Sequence, residues 1–272
     1  MIVGSFKIGS GLGNMLHRYI ATRVLAADLG VPFGMDNHDN FKGKDFMPID
    51  MGKHPQWLQH QFQEQRVNNE QGVDIRPYDE RVKDIKDHTR IDGEFQDFRY
   101  FGHRLDEVRE WLKVEPLEMP DDVCVISFRA GEYRGIKELF LEQSYWDNAI
   151  ENIKKINPDM SFVVHTDDVE TAQSFFPNFQ CIHDIGLNWR AIRYAHYLIV
   201  SNSSFSIIPS LLNENVKKII APKYHARHNI SDGYWAMEQN IYEQYTYQDR
   251  GGELSDYDTC IKELKEYNSK YN

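Results

Sequence analysis

The apolar positions of this chain fall into short blocks whose period changes along its length. Met1 to Ser5 is an apolar run of strand length, and Lys7 to Gly13 is a glycine-rich loop. From about Asn14 the spacing becomes helical, with Leu16, Ile20 and Val24 one turn apart, Tyr19 and Ala27 on the same face, and Gly30 as the stop. Val31 to Met35 reads as a second strand. Strand, glycine loop, helix, strand is the opening of a doubly wound α/β sheet. Asp36 to Arg90 keeps no period and is rich in His, Gln, Asn and Asp, with scattered Phe41, Phe46, Trp57 and Phe62, so polar loops and amphipathic pieces are expected there. Asp92 to His103 crowds aromatic residues together ahead of an amphipathic helix over Leu105 to Leu112. Those aromatics suit core packing first and a sugar platform second.

Pro116 and Pro120 bracket a short charged segment at which the pattern restarts. The blocks that follow predict a strand at Val123 to Phe128, a helix at Gln143 to Ile156, a strand at Ser161 to His165 and a helix at Val169 to Phe176. A short helix near Trp189 to Ala195, a strand at Tyr197 to Val200, a helix at Phe205 to Asn213 and a strand at Lys218 to Ala221 complete the alternation. In the long helix Trp146, Ala149, Ile150 and Ile153 form one apolar stripe. Strands alternating with helices make a parallel sheet, with function expected at the strand ends. A last helix from Asp256 carries Tyr257, Cys260, Ile261 and Leu264 on one face. The expected organisation is residues 1–118, 119–244 and a helical tail at 245–272.

Composition narrows the function classes. The chain of 272 residues has 41% hydrophobic and 27% charged residues, ordinary globular values. It holds no apolar run of about 18 residues, the length that spans a bilayer. A net charge of −11 argues against a surface that tracks nucleic-acid phosphates. The opening residues, MIVGSFKIGSGLGN, read as strand and loop and not as a signal peptide. Cys124, Cys181 and Cys260 are dispersed and form no CxxC. The cytoplasm is the simplest setting.

Candidate chemistry gathers at three strand ends. Arg129 follows the first strand of the second half. Thr166, Asp167 and Asp168 follow the next. Ser201, Asn202, Ser203 and Ser204 follow a third and lead into a helix. Backbone N–H groups at a helix start, hydroxyls and an arginine fork are a phosphate-binding set. Helix capping is the plainer reading of the serines and of Asp167 and Asp168. In the first loop Gly9, Gly11 and Gly13 suggest a dinucleotide turn, but Asn14 stands where that fingerprint has its third glycine. An NAD-dependent oxidoreductase is therefore disfavoured.

Taken together these segments resemble the GDP-fucose-dependent α-1,2-fucosyltransferases and their bacterial relatives. The GLGNQM loop of that family is similar to Gly11, Leu12, Gly13, Asn14 and Met15, and EGYFQSEKYF to the stretch from Gly93 to Phe101. FSDD resembles His165, Thr166, Asp167 and Asp168; ANSSFSWW resembles Ser201 to Ser206; VIAP resembles Ile219 to Pro222. The order holds over about the first 225 residues. HxRRGD appears here as Ser127, Phe128, Arg129, Ala130, Gly131 and Glu132, with the first Arg kept, the His and second Arg replaced, and Glu in place of Asp. Ile207 and Ile208 stand in place of the two tryptophans of ANSSFSWW.

The resemblance implies a GT-B-like α/β fold: two facing Rossmann-like domains with a C-terminal helix. It implies a GDP-sugar donor, a glycan acceptor and no metal cofactor. The donor would be met by Gly11, Gly13, Asn14, Arg129, Thr166, Asp167, Asp168, Ser203, Ser204 and Phe205. Arg129 would stabilise the leaving diphosphate in an inverting transfer, and Glu132, with Glu138 behind it, would take the acceptor proton. Glu132 has a second reading, as a salt-bridge partner that orients Arg129. Arg193 or the basic stretch Lys223 to His228 would replace the missing cation. His225 and His228 read as exposed loop residues, and Asp256 and Asp258 as the acidic start of the tail helix. A binding protein that has kept this fold without catalysis is the alternative, and Ala130 is the residue that separates the two readings.

Overall fold

A computed structural model describes residues 1–54, 57–68, 74–235 and 238–271. The chain divides into two compact units, Met1–Val114 and Glu115–Asn272.

In the first unit β1 (Ile2–Ser5) is followed by α1 (Leu12–Leu29), β2 (Phe33–Asp36), β3 (His60–Gln63), β4 (Val67–Asn68), β5 (Asp74–Ile75), β6 (Thr89–Asp92) and α2 (Leu105–Trp111). The main sheet has the order β2-β1-β6-β3 and all its pairs are parallel, while β4 and β5 form a separate antiparallel pair. Ile2 and Val3 are fully buried, and α1 lies against them through Leu16, Tyr19, Ile20 and Val24. Gly4 permits that close approach: a side chain there would come within 2.1 Å of the Thr22 hydroxyl. Gly30 ends α1 in the left-handed region at φ 65°, its N–H returned to the carbonyls of Ala26 and Ala27.

The stretch expected as irregular, Asp36 to Arg90, supplies an edge strand and the beginning of a central one. β3 reads HQFQ and is largely exposed, so it has no apolar alternation to betray it. β6 sits between β1 and β3, and its register is shown by inward Thr89 and Ile91 only. The aromatics after it are core: Phe95, Tyr100 and Phe101 are all buried.

The second unit runs β7 (Val123–Phe128), α3 (Gln143–Lys154), β8 (Ser161–Thr166), α4 (Val169–Phe175), β9 (Gln180–Ile182), α5 (Ile185–Tyr194), β10 (Tyr197–Val200), α6 (Ser204–Leu212), β11 (Lys218–Pro222), β12 (Thr246–Gln248), β13 (Leu254–Ser255) and α7 (Tyr257–Tyr271). Its sheet has the order β13-β12-β11-β10-β7-β8-β9 and is parallel throughout except for the last short strand, β13. Cys124, Ile126 and Phe128 of β7 pack with Trp146 and Ile153 of α3, Val164, Ile199 and Ile220 in one core. The residues after Gln244 do more than form a helix. β12 pairs with β11, and Gln248 is fully buried, accepting from Asn152 at 3.0 Å and donating to the Tyr145 carbonyl at 2.9 Å.

The chain leaves β7 toward β8 and β9, then crosses through α5 to β10 on the opposite side of β7. That reversal opens a crevice at the carboxyl ends of the strands, where α/β sheets bind ligands.

Candidate functional site

The ends of β7 and β8 and the starts of α5 and α6 enclose a pocket of about 120 Å³. Arg129, His165, Thr166, Asp167, Asn188, Ser203 and Phe205 are among the residues lining it. Arg129 leaves β7 and is held by two carboxylates. Its Nη1 lies 2.5 Å from Asp167 Oδ2, and its Nη2 lies 2.8 Å from Glu132 Oε1. The ring of Tyr133 covers the guanidinium, 5.4 Å away. Nε of Arg129 is buried and has no hydrogen-bond partner.

The two carboxylates differ in how they are fixed. Asp167 also accepts the Ala130 N–H at 2.9 Å. Gly131, at φ 27°, lets it come close, because a side chain there would meet Asp167 Oδ2 at 2.4 Å. Glu132, on the turn Gly131–Gly135, is 72% exposed and holds Arg129 through one oxygen. The salt-bridge reading of Glu132 is thus the arrangement adopted. Asp168 caps α4, its Oδ1 accepting from Thr171 N at 3.0 Å, which lowers its pKa. Asp168 does not line the pocket.

His165 contributes an acceptor. Asn188 donates from Nδ2 to the Thr166 carbonyl at 3.1 Å, so its Oδ1 is turned to His165 Nδ1 at 2.7 Å. A carbonyl oxygen only accepts, so Nδ1 carries the proton and Nε2 keeps its lone pair. Burial lowers the His165 pKa, which disfavours the charged ring.

The α6 side of the pocket is a helix start. Ser203 caps α6 by accepting from Phe205 N at 3.3 Å, the capping expected of such a residue, and its side chain also hydrogen-bonds Tyr133. Ser204 opens the helix. Beneath them, Ser201 Oγ and Asn202 Oδ1 are buried without partners, while Asn202 Nδ2 donates to the Leu139 carbonyl at 3.0 Å. Buried orphan polar atoms are uncommon in folded proteins, and this end of the sheet gathers three of them with Arg129 Nε.

The remaining candidates lie elsewhere. Gly11, Gly13 and Asn14 belong to the first unit, where Gly11 precedes α1 and Asn14 accepts from Gln96 at 3.0 Å. Two family-like segments of that unit therefore meet. Arg18 of α1 donates from Nε to the Gly93 carbonyl at 2.7 Å, from Nη1 to Ser10 at 2.8 Å and from Nη2 to Glu94 at 2.5 Å. Arg193 pairs with Glu214 at 3.6 Å and Lys223 with Glu263 at 2.8 Å, and neither lines the pocket. His228, expected on the surface, is buried, donates to the Lys223 carbonyl at 3.1 Å, and burial depresses its pKa to about 4. Asp256 caps the start of α7 through Thr259 N at 2.9 Å. Among the described residues no group of three or more His, Cys, Asp or Glu side chains is arranged to hold a metal ion, and no helix is long and apolar enough to cross a membrane.

Ala130 is fully buried within the apolar core, so the position where the resembled motif has its second arginine points away from solvent here. His183 and Asn188 line the pocket without any motif to announce them; the one signal was Asp184, a helix cap that brings both to the rim.

The chain is similar in fold to NodZ alpha-1,6-fucosyltransferase, known from a crystal soaked with GDP-fucose, with a TM-score of 0.40 and 13% identity over 81% of this chain and 94% of that one. No family model and no curated protein matches the sequence.

Proposed function

We propose that this chain is a glycosyltransferase that takes a nucleotide sugar, GDP-fucose in the first instance, and passes the sugar to a glycan hydroxyl with inversion. The observation that carries this reading is Arg129: a strand-end arginine, with a buried Nε lacking a partner, on a pocket shared with the capped start of α6. In this reading the acceptor oxygen bonds to the anomeric carbon while the bond from that carbon to the diphosphate oxygen breaks. The electron pair leaves on the diphosphate, where Arg129 and the N–H groups at the start of α6 meet it. The acceptor proton passes to a carboxylate, for which the loop after β7 supplies Glu132 and Glu138. No metal is assigned a part.

Ala130 favours a second reading. Its burial leaves one arginine on this strand end, which suits a nucleotide-sugar or glycan binder without turnover.

Thermal melts with GDP, UDP, ADP and NAD, each with and without chelator, test the binding. At 100 times its dissociation constant a ligand adds about 2.7 kcal/mol, and GDP is expected to do so without metal. Stabilisation by NAD alone would end this reading. Release of GDP from GDP-fucose across an acceptor panel then separates enzyme from binder.

A further inference from the structure

The two carboxylates on Arg129 are not equivalent, and their difference defines where an anion would sit. Asp167 takes Nη1 and is pinned by the Ala130 N–H and by the contact Gly131 allows. The guanidinium edge left over is Nε with Nη2, one of the two sides on which arginine grips an oxyanion with parallel bonds. On that edge Nε has no partner and Nη2 is met by a single oxygen of the exposed Glu132. A buried N–H without a partner is costly, and two oxygens on this edge would satisfy both donors.

We propose that Glu132 is a resident counter-ion, displaced when a phosphate oxyanion takes the Nε and Nη2 edge of Arg129, with Asp167 remaining as the positioning residue. This rests on the reading of the pocket as a phosphate site, and it changes the part of Glu132 from proton acceptor to competitor. Three charges meet at this strand end: one cation and two carboxylates. The exchange removes the exposed carboxylate and leaves the one pinned by Ala130 N–H. An exposed ion pair of this kind is weak, so the exchange is easy.

Titration of the whole chain with inorganic pyrophosphate and with GDP, by calorimetry, tests it. Glu132→Gln is expected to bind pyrophosphate about two- to fivefold tighter than the native chain. Arg129→Lys, which has no fork, is expected to bind at least about tenfold weaker, and Asp167→Asn to bind weaker as well. Glu142→Gln makes the same change of charge at an exposed position of the same loop and is expected to leave affinity unchanged. Equal or weaker binding by Glu132→Gln overturns the proposal, as does equal tightening by Glu142→Gln or an absence of pyrophosphate binding in both native chain and Glu132→Gln. Should GDP bind no better than pyrophosphate while Glu132→Gln tightens both, the nucleotide-sugar reading falls and the counter-ion role stands.

Discussion

Each unit places one arginine at the centre of its polar groups, and the two are used in opposite ways. Arg18 in the first unit spends every nitrogen on its own chain, on Gly93, Ser10 and Glu94, and is itself buried. Arg129 in the second unit is partly exposed, shares its charge between two carboxylates, and keeps Nε empty. The same strand, loop and helix order thus produces a closed network in one case and an open one in the other. A closed network stabilises the fold; an open one leaves a donor to spare.

The comparison breaks most visibly under truncation of the two arginines. Arg18→Ala leaves Glu94 facing Arg76 alone, at 3.3 Å, and is expected to cost about 3 kcal/mol or more in urea denaturation. Arg129→Ala is expected to cost less than about 1 kcal/mol while abolishing pyrophosphate binding. Equal losses of stability in the two variants would erase the distinction.

Next in size is a pH effect seated in the first unit. His17 is fully buried, donates from Nδ1 to the Gly13 carbonyl at 2.9 Å, and burial depresses its pKa from 6.5 to about 4. The unfolded chain takes up that proton first, so its contribution to stability is whole above pH 6.5 and is lost as pH falls toward 4. The loss across that window is roughly 3 kcal/mol. Denaturation of native chain and His17→Gln at a series of pH values checks it; the variant should show a flatter profile in that window, and an unchanged slope would refute the assignment.

The smallest effect sharpens the open side. His165→Phe removes the Nε2 acceptor from the pocket and is expected to weaken GDP by about tenfold, one hydrogen bond's worth, with pyrophosphate unaffected. Equal loss of both ligands would place the residue in the scaffold instead.

How much of this was legible in the sequence depended on whether a residue's partners were near it in the chain. β7, β8, β10 and β11 showed as apolar runs because central strands of a parallel sheet are buried on both faces. The caps at Asp168 and Ser203 were legible because a cap acts within one turn. β3 was not, since an exposed edge strand keeps no alternation. The short β9 and β12 lacked the length to show a period. Within the site, Arg129 could be placed at a strand end, but its bond to Asp167 spans 38 positions and depends on β7 lying beside β8. Asn188 and the tautomer it imposes on His165 were hidden for the same reason.

The buried Gln248 has a consequence for how the chain is made. Asn152 and Tyr145 lie on α3, near the front of the second unit, yet Asn152 donates to, and the Tyr145 carbonyl accepts from, a residue about a hundred positions later. During synthesis those amides emerge long before their partner. The first unit has all of its sheet once Asp92 is out of the ribosome, whereas the second keeps unfilled polar positions until β12 is translated and docks beside β11. A ribosome stalled ahead of Thr246 would hold one finished body and one unfinished one, and proteolysis of such stalled chains should cut only the latter.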